Sequence, residues 1–134
     1  MIDFYRKNRK KILTLILVTY WVALFIATSL PDYDIPKINV NDKVEHFIAY
    51  FILAFMLSVV LLAHKKIIIF KNRIFIAVLV IVGAYASIDE LHQLFIPGRS
   101  CDLLDWIADF SSACFAVLIV YIFSEKIYPR FNTK

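Results

Sequence analysis

The strongest constraint on this chain is a set of four apolar segments, Ile12–Leu30, Phe47–Ala63, Ile74–Ile88 and Leu103–Phe123. A helix that crosses a bilayer needs about 20 mostly apolar residues. The third run is short, but its helix can extend from near Ile67 to Gln93. Pro31, Pro36 and Pro97 fall between segments, where breaking a helix does no harm. The chain is 61% hydrophobic over 134 residues, with a mean hydropathy of +0.73. Soluble domains are usually about 45–50% apolar, so one small core could not hide this much apolar surface. The expectation is an all-α membrane protein: a four-transmembrane-helix bundle forming a single domain over residues 1–134, with helices near 12–30, 44–64, 67–93 and 103–124.

Charge orients the bundle. All but Lys37, Lys43 and Arg99 of the 15 Lys and Arg lie in the N-terminal tail, the second connection or the C-terminal tail. The positive-inside rule then places both termini in the cytoplasm. All but Asp3 and Glu125 of the 11 acids sort to the opposite side. The basic rim suits anionic lipid head groups, and nothing calls for nucleic acid as a partner. Ala27-Thr28-Ser29 resembles a signal-peptidase site, but Ile12–Leu30 is longer than the about 7–15 residues of an ordinary signal-peptide core, so it reads as a spanning helix.

Three polar clusters converge on the outer side. NDKVEHFIAY (41–50) opens the second helix and puts Asp42, His46 and Tyr50 on one stripe. SIDELHQ (87–93) closes the third, with Gly83, Ala86, Glu90 and Gln93 on one face and Asp89 beside them. DLLDWIADFSS (102–112) opens the fourth, with Asp105, Asp109, Ser112 and Ala116 in a row. At about 1.5 Å per residue, Asp109 lies roughly 21 Å from Phe123, in the outer third of a hydrocarbon core about 30 Å thick. A carboxylate facing lipid at such depth is costly, by about 2.5–3.5 kcal/mol at the centre on insertion scales. The acids therefore face inward, toward one another, Arg99 or a wet cavity, and Gly83, Ala86, Ser112, Ala113 and Ala116 let those helices approach closely.

Each residue carries two readings. Arg99, after the Pro97-Gly98 turn, can grip a phosphate or carboxylate, or form a salt bridge to Asp89, Glu90, Asp102 or Asp105. His46 has Asp42 one turn earlier, a pairing that suits a general base but equally a hydrogen-bonded interfacial His. Hard oxygen and nitrogen ligands are plentiful, yet no ligand spacing appears, so no metal is assigned and the cofactor is left unknown. The serines lack a nucleophile elbow. Trp106 is placed for the interfacial aromatic belt, while Tyr20 and Trp21 sit in mid-helix and pack against neighbours. Cys101 and Cys114 lie at different depths and are not expected to pair.

DKVEHFIAY followed by DELHQLFIPGRSCDLLDWIADFSSA resembles the VanZ-like family of bacterial membrane proteins. SLPD after the first helix is similar to the family's small-residue-plus-Pro ending. The resemblance covers nearly the whole chain, and by it Asp42, Lys43, His46, Asp89, Glu90, Gln93, Pro97, Arg99 and Asp105 match motif positions. The sequence departs from the family pattern at Asp109 and Ser112, where Asn and Gly are usual. The added negative charge favours a cation or a shared proton there. The resemblance implies a multi-pass protein of the bacterial cytoplasmic membrane with a role in the envelope, and the family's named member is associated with low-level teicoplanin resistance.

Two functions are carried forward. In the first, the outward site acts on or binds the head group of an envelope lipid, a lipid-linked precursor or a glycolipid. His46, Glu90 and Asp42 are then the acid/base candidates, and Lys43, Asp89, Gln93, Arg99, Asp105 and Asp109 line the binding site. In the second, the chain is a non-enzymatic accessory or binding protein whose polar network is structural. Ion or proton movement is a weaker third, since no polar path runs through Ile74–Val82 or Phe115–Phe123. Oligomeric state is not legible.

Overall fold

The computed structural model describes residues 2–31, 41–64 and 71–132, with side chains over 8–31, 41–64 and 73–124. It contains four helices, α1 (Ile2–Thr28), α2 (Asp42–Ala63), α3 (Lys71–Gln93) and α4 (Leu103–Asn132). All four are long and apolar enough to cross a membrane, and no strand occurs among the described residues. The protein is a multi-pass, all-helical membrane protein.

The helices outrun the apolar segments at both ends of the chain, α1 starting at Ile2 and α4 continuing to Asn132. Apolarity marks where lipid ends, whereas good helix formers such as Lys7, Lys10 and Lys11 carry the helix onward into water. Residues 65–70, where the sequence reading begins the third helix, lie outside the described residues.

Local chemistry sets the helix starts nearest the polar clusters. Asn41 caps α2, its side-chain oxygen accepting the Lys43 N–H at 3.0 Å, and Asp42 and Glu45 in the first turn suit the positive end of the helix dipole. Asp102 does the same for α4, accepting the Leu104 N–H at 2.8 Å. Between α3 and α4, the Arg99 N–H reaches the Ile96 carbonyl at 3.1 Å across Pro97-Gly98. Gly98 has φ 80°, so this is a type II turn in which a side chain at that position would be strained.

α4 packs most extensively on α2, and α3 completes a three-helix core. The half of that core away from the Asn41 and Asp102 helix caps is apolar, with Val60, Ile74, Val78, Val82 and Val120 buried. Ser58 and Ser124 are buried there too, but each bonds a carbonyl of its own helix at 2.7 Å, so neither hydroxyl is left without an acceptor. Ala86, Ser112, Ala113 and Ala116 are fully buried, and Gly83 packs against the Phe110 ring. These are the small residues the sequence placed at the helix contacts. α1 is peripheral, with only 17% of its span buried against 50% for α2. Val18, Val22, Phe25 and Ile26 on α1, and Phe115, Leu118 and Ile122 on α4, remain exposed, as lipid-facing side chains do.

Candidate functional site

The polar residues of α2, α3 and α4 meet at the ends where the α1–α2 and α3–α4 connections emerge. His46, Asp89, Glu90, Gln93, Asp105 and Asp109 are all buried, at 8% exposure or less. The inward orientation expected from desolvation cost is therefore met for each of them. They form three linked groups.

The first centres on Asp89. Its Oδ1 accepts from the Thr28 hydroxyl at 2.7 Å, and its Oδ2 from the Tyr50 hydroxyl at 2.9 Å and, more weakly, from the Gln93 amide at 3.4 Å. The carboxylate thus joins α1, α2 and α3, and both oxygens are engaged. The second group is ionic. The Lys43 ammonium bridges Asp102 at 2.8 Å and Asp105 at 2.7 Å, tying the start of α2 to that of α4. That ammonium and the Leu104 N–H hold the Asp102 carboxyl below the usual carboxylate range. Lys43 is thus committed to protein carboxylates.

The third group contains His46, Glu90 and Asp109. His46 Nδ1 lies 3.1 Å from Asp109 Oδ1, so its carboxylate partner comes from α4. Asp42, the partner expected from helical spacing, is exposed, although it shares a cluster of possible ligand atoms with His46 and Asp105. Glu90 accepts the Asp102 backbone N–H at 2.9 Å through Oε2. Glu90 Oε1 and Asp109 Oδ2 are buried without a hydrogen-bond partner among the described residues.

Arg99 stands apart from the acids. Among the described residues it forms no ion pair, and its Nε makes a long contact of 3.5 Å to the Leu30 carbonyl. None of the four salt bridges considered for it is present there. Instead it lines a cleft of about 260 Å³ between α1 and α2. Leu24, Ala27 and Leu30 on the α1 side give the cleft an apolar wall, while Asp42, Glu45, His46 and Tyr50 on α2 give it a polar one, with Ala49 among them.

The sequence reading missed Thr28 and the Tyr50 hydroxyl as Asp89 partners. Trp106, read as a belt residue, donates its indole N–H to Ser87 at 3.0 Å and stacks on Phe110. Tyr20 and Trp21 pack as expected, through a 2.9 Å bond to the Ala49 carbonyl and an edge contact with Tyr85. Cys101 and Cys114 are exposed and free.

Comparison with curated proteins and with solved structures gives no match. The model of the VanZ/LLP1 family, in contrast, matches residues 4–124, which takes in all three polar groups and the cleft. The chain is a member of the VanZ/LLP1 family.

Proposed function

We propose that this protein sits in the bacterial cytoplasmic membrane with both termini in the cytoplasm, and that the cleft between α1 and α2 binds the anionic head group of an envelope lipid or glycolipid. The observation that carries the reading is Arg99, a half-buried cation lining a cleft with one apolar and one polar wall, making no ion pair with the described acids. Guanidinium is well matched to phosphate oxygens, and an apolar wall beside it suits the first carbons of an acyl or polyprenyl chain. A role in glycopeptide (teicoplanin) response belongs to this proposal as a consequence of occupying such lipids.

Purified protein in nanodiscs, read by native mass spectrometry, tests it. Wild-type protein should retain phosphatidylglycerol or a polyprenyl phosphate over phosphatidylcholine, and Arg99→Gln should lower that retention about tenfold, equivalent to about 1.4 kcal/mol. Equal retention of charged and zwitterionic lipids, or an Arg99→Gln variant that behaves as wild type, would sink the proposal.

The accessory reading has support of its own. Asp89 is fully satisfied, and Lys43 is held between two carboxylates, as expected of a structural clamp. His46→Ala separates that reading from acid/base chemistry. Function should survive the change if the network is structural, and vanish if His46 moves a proton.

A further inference from the structure

We propose that His46, Glu90 and Asp109 bind one divalent first-row transition metal ion, Zn²⁺ or Mn²⁺. One ligand atom from each lies within 4.8 Å of the others, and the three residues come from α2, α3 and α4. All are buried, at 8%, 3% and 0% exposure.

The independent observation is the state of the two carboxylates. Glu90 Oε1 and Asp109 Oδ2 are both enclosed, and neither meets a donor among the described residues. Their sister oxygens are already committed, to the Asp102 N–H and to His46 Nδ1. An unsatisfied carboxylate oxygen in a low-dielectric interior is among the more unfavourable groups a fold can contain, and two carboxylates with oxygens within 4.8 Å of each other repel. His46 can pair with Asp109 only through Oδ1, and the Lys and Arg cations nearby do not relieve the open oxygens. Lys43 is held by Asp102 and Asp105, and Arg99 makes no ion pair with a described acid. A divalent cation would balance two carboxylates and a neutral imidazole, and would satisfy the open oxygens directly.

Ligand chemistry narrows the ion. One imidazole and two carboxylates suit Zn²⁺ or Mn²⁺, whereas Ca²⁺ prefers six to eight oxygens. Bonds of about 2.0–2.2 Å place ligand atoms roughly 3–4 Å apart, so a small closing of the three side chains completes the site. The neighbouring cluster of Asp42, His46 and Asp105 is the poorer candidate. Asp42 is exposed, Asp105 Oδ1 is occupied by Lys43, and neither acid has a buried oxygen without a partner. His46 also lines the cleft, which puts the ion behind the cleft's polar wall. The site stands whether or not that cleft takes a lipid.

The test uses full-length protein in detergent, stripped with chelator and dialysed against Zn²⁺, Mn²⁺ or Co²⁺. Metal content is read by mass spectrometry and coordination by the visible absorption of Co²⁺. The expected result is one tightly held ion per chain, with affinity reduced at least tenfold in Asp109→Asn and Glu90→Gln and retained in Asp42→Asn. Helical content of each variant is checked by circular dichroism. Should Asp109→Asn fail to fold, Glu90→Gln still decides, because its amide oxygen can go on accepting the Asp102 N–H. Folded wild-type protein that keeps no ion would overturn the site and leave a shared proton as the means of balancing the charge. Retention by Asp109→Asn and Glu90→Gln alike would overturn it equally.

Discussion

Removing the Tyr50 hydroxyl tests whether Asp89 fastens the helices together. Tyr50 is fully buried, and its hydroxyl donates to Asp89 Oδ2 at 2.9 Å. Tyr50→Phe keeps the ring, and with it the stacking on Tyr85 and His46, so the change removes a hydrogen bond and little else. Oδ2 is then left with the 3.4 Å contact from Gln93, while Oδ1 keeps Thr28. A hydrogen bond to a charged group is worth about 1.5–3 kcal/mol in soluble proteins. Polar contacts in membrane proteins average about 0.6 and reach about 1.7 kcal/mol, because groups in the unfolded, membrane-embedded chain also find partners. Full burial of both side chains argues for the upper end, so the expected loss is about 1.5 kcal/mol. Equilibrium unfolding in mixed micelles would measure it, and a double-mutant cycle with Asp89→Asn would isolate the pair. A coupling below about 0.5 kcal/mol, within ordinary additivity error, would refute the view that this bond holds α2 to α3.

Three further outcomes follow from the same geometry. A Cβ added at Gly83 would lie 3.2 Å from two Phe110 ring carbons, so Gly83→Ala should destabilise by about 1 kcal/mol, with Phe110→Leu relieving part of the loss in the same unfolding assay. The depressed Asp102 carboxyl contributes stability that is fully present above the ordinary carboxylate pKa of about 3.9 and is lost as pH falls through its lower folded value. Asp102→Asn, which preserves the helix cap, should therefore flatten the acid limb of a thermal-stability profile; an unchanged limb would place that dependence on other groups. Cys101 is exposed in the α3–α4 connection, and Cys114 is exposed on α4 where lipid would cover it. A membrane-impermeant maleimide should label Cys101 in intact cells and spare Cys114, and labelling of Cys101 only after lysis would reverse the proposed orientation.

What the sequence disclosed was what repeats along one helix. The stripe of Asp105, Asp109, Ser112 and Ala116 was legible because inward faces recur at helical spacing, and all but the last carry polar atoms that lipid would penalise. The partner of His46 was not. Spacing offers Asp42 from the same helix, whereas the carboxylate at 3.1 Å is Asp109, brought in by the packing of α4 on α2. For Arg99 the sequence leaves two readings open, an anion clamp and a salt bridge, for a similar reason. Charge alone sends it to the nearest acids, but the type II turn at Gly98 carries it to the end of α1, beside Leu30. Thr28 gave only a weak signal, since a lone Thr in an apolar run usually bonds a carbonyl of its own helix. It does make that bond, to Phe25, as well as the one to Asp89. His46, Glu90 and Asp109, the residues of the proposed ion site, come from three different helices, so their proximity leaves no local spacing in the sequence.

The peripheral position of α1 has a mechanical consequence. Its apolar sides find hydrocarbon about as agreeable a neighbour as another helix, so burial alone holds it weakly against the bundle in a bilayer. Tyr20 near its middle and Thr28 near its end act as two polar latches, binding the Ala49 carbonyl and Asp89. The cleft's apolar wall is therefore its most yielding side. A guest arriving sideways from the leaflet would meet a latched door there, where on the α2–α4 side it would meet a packed wall.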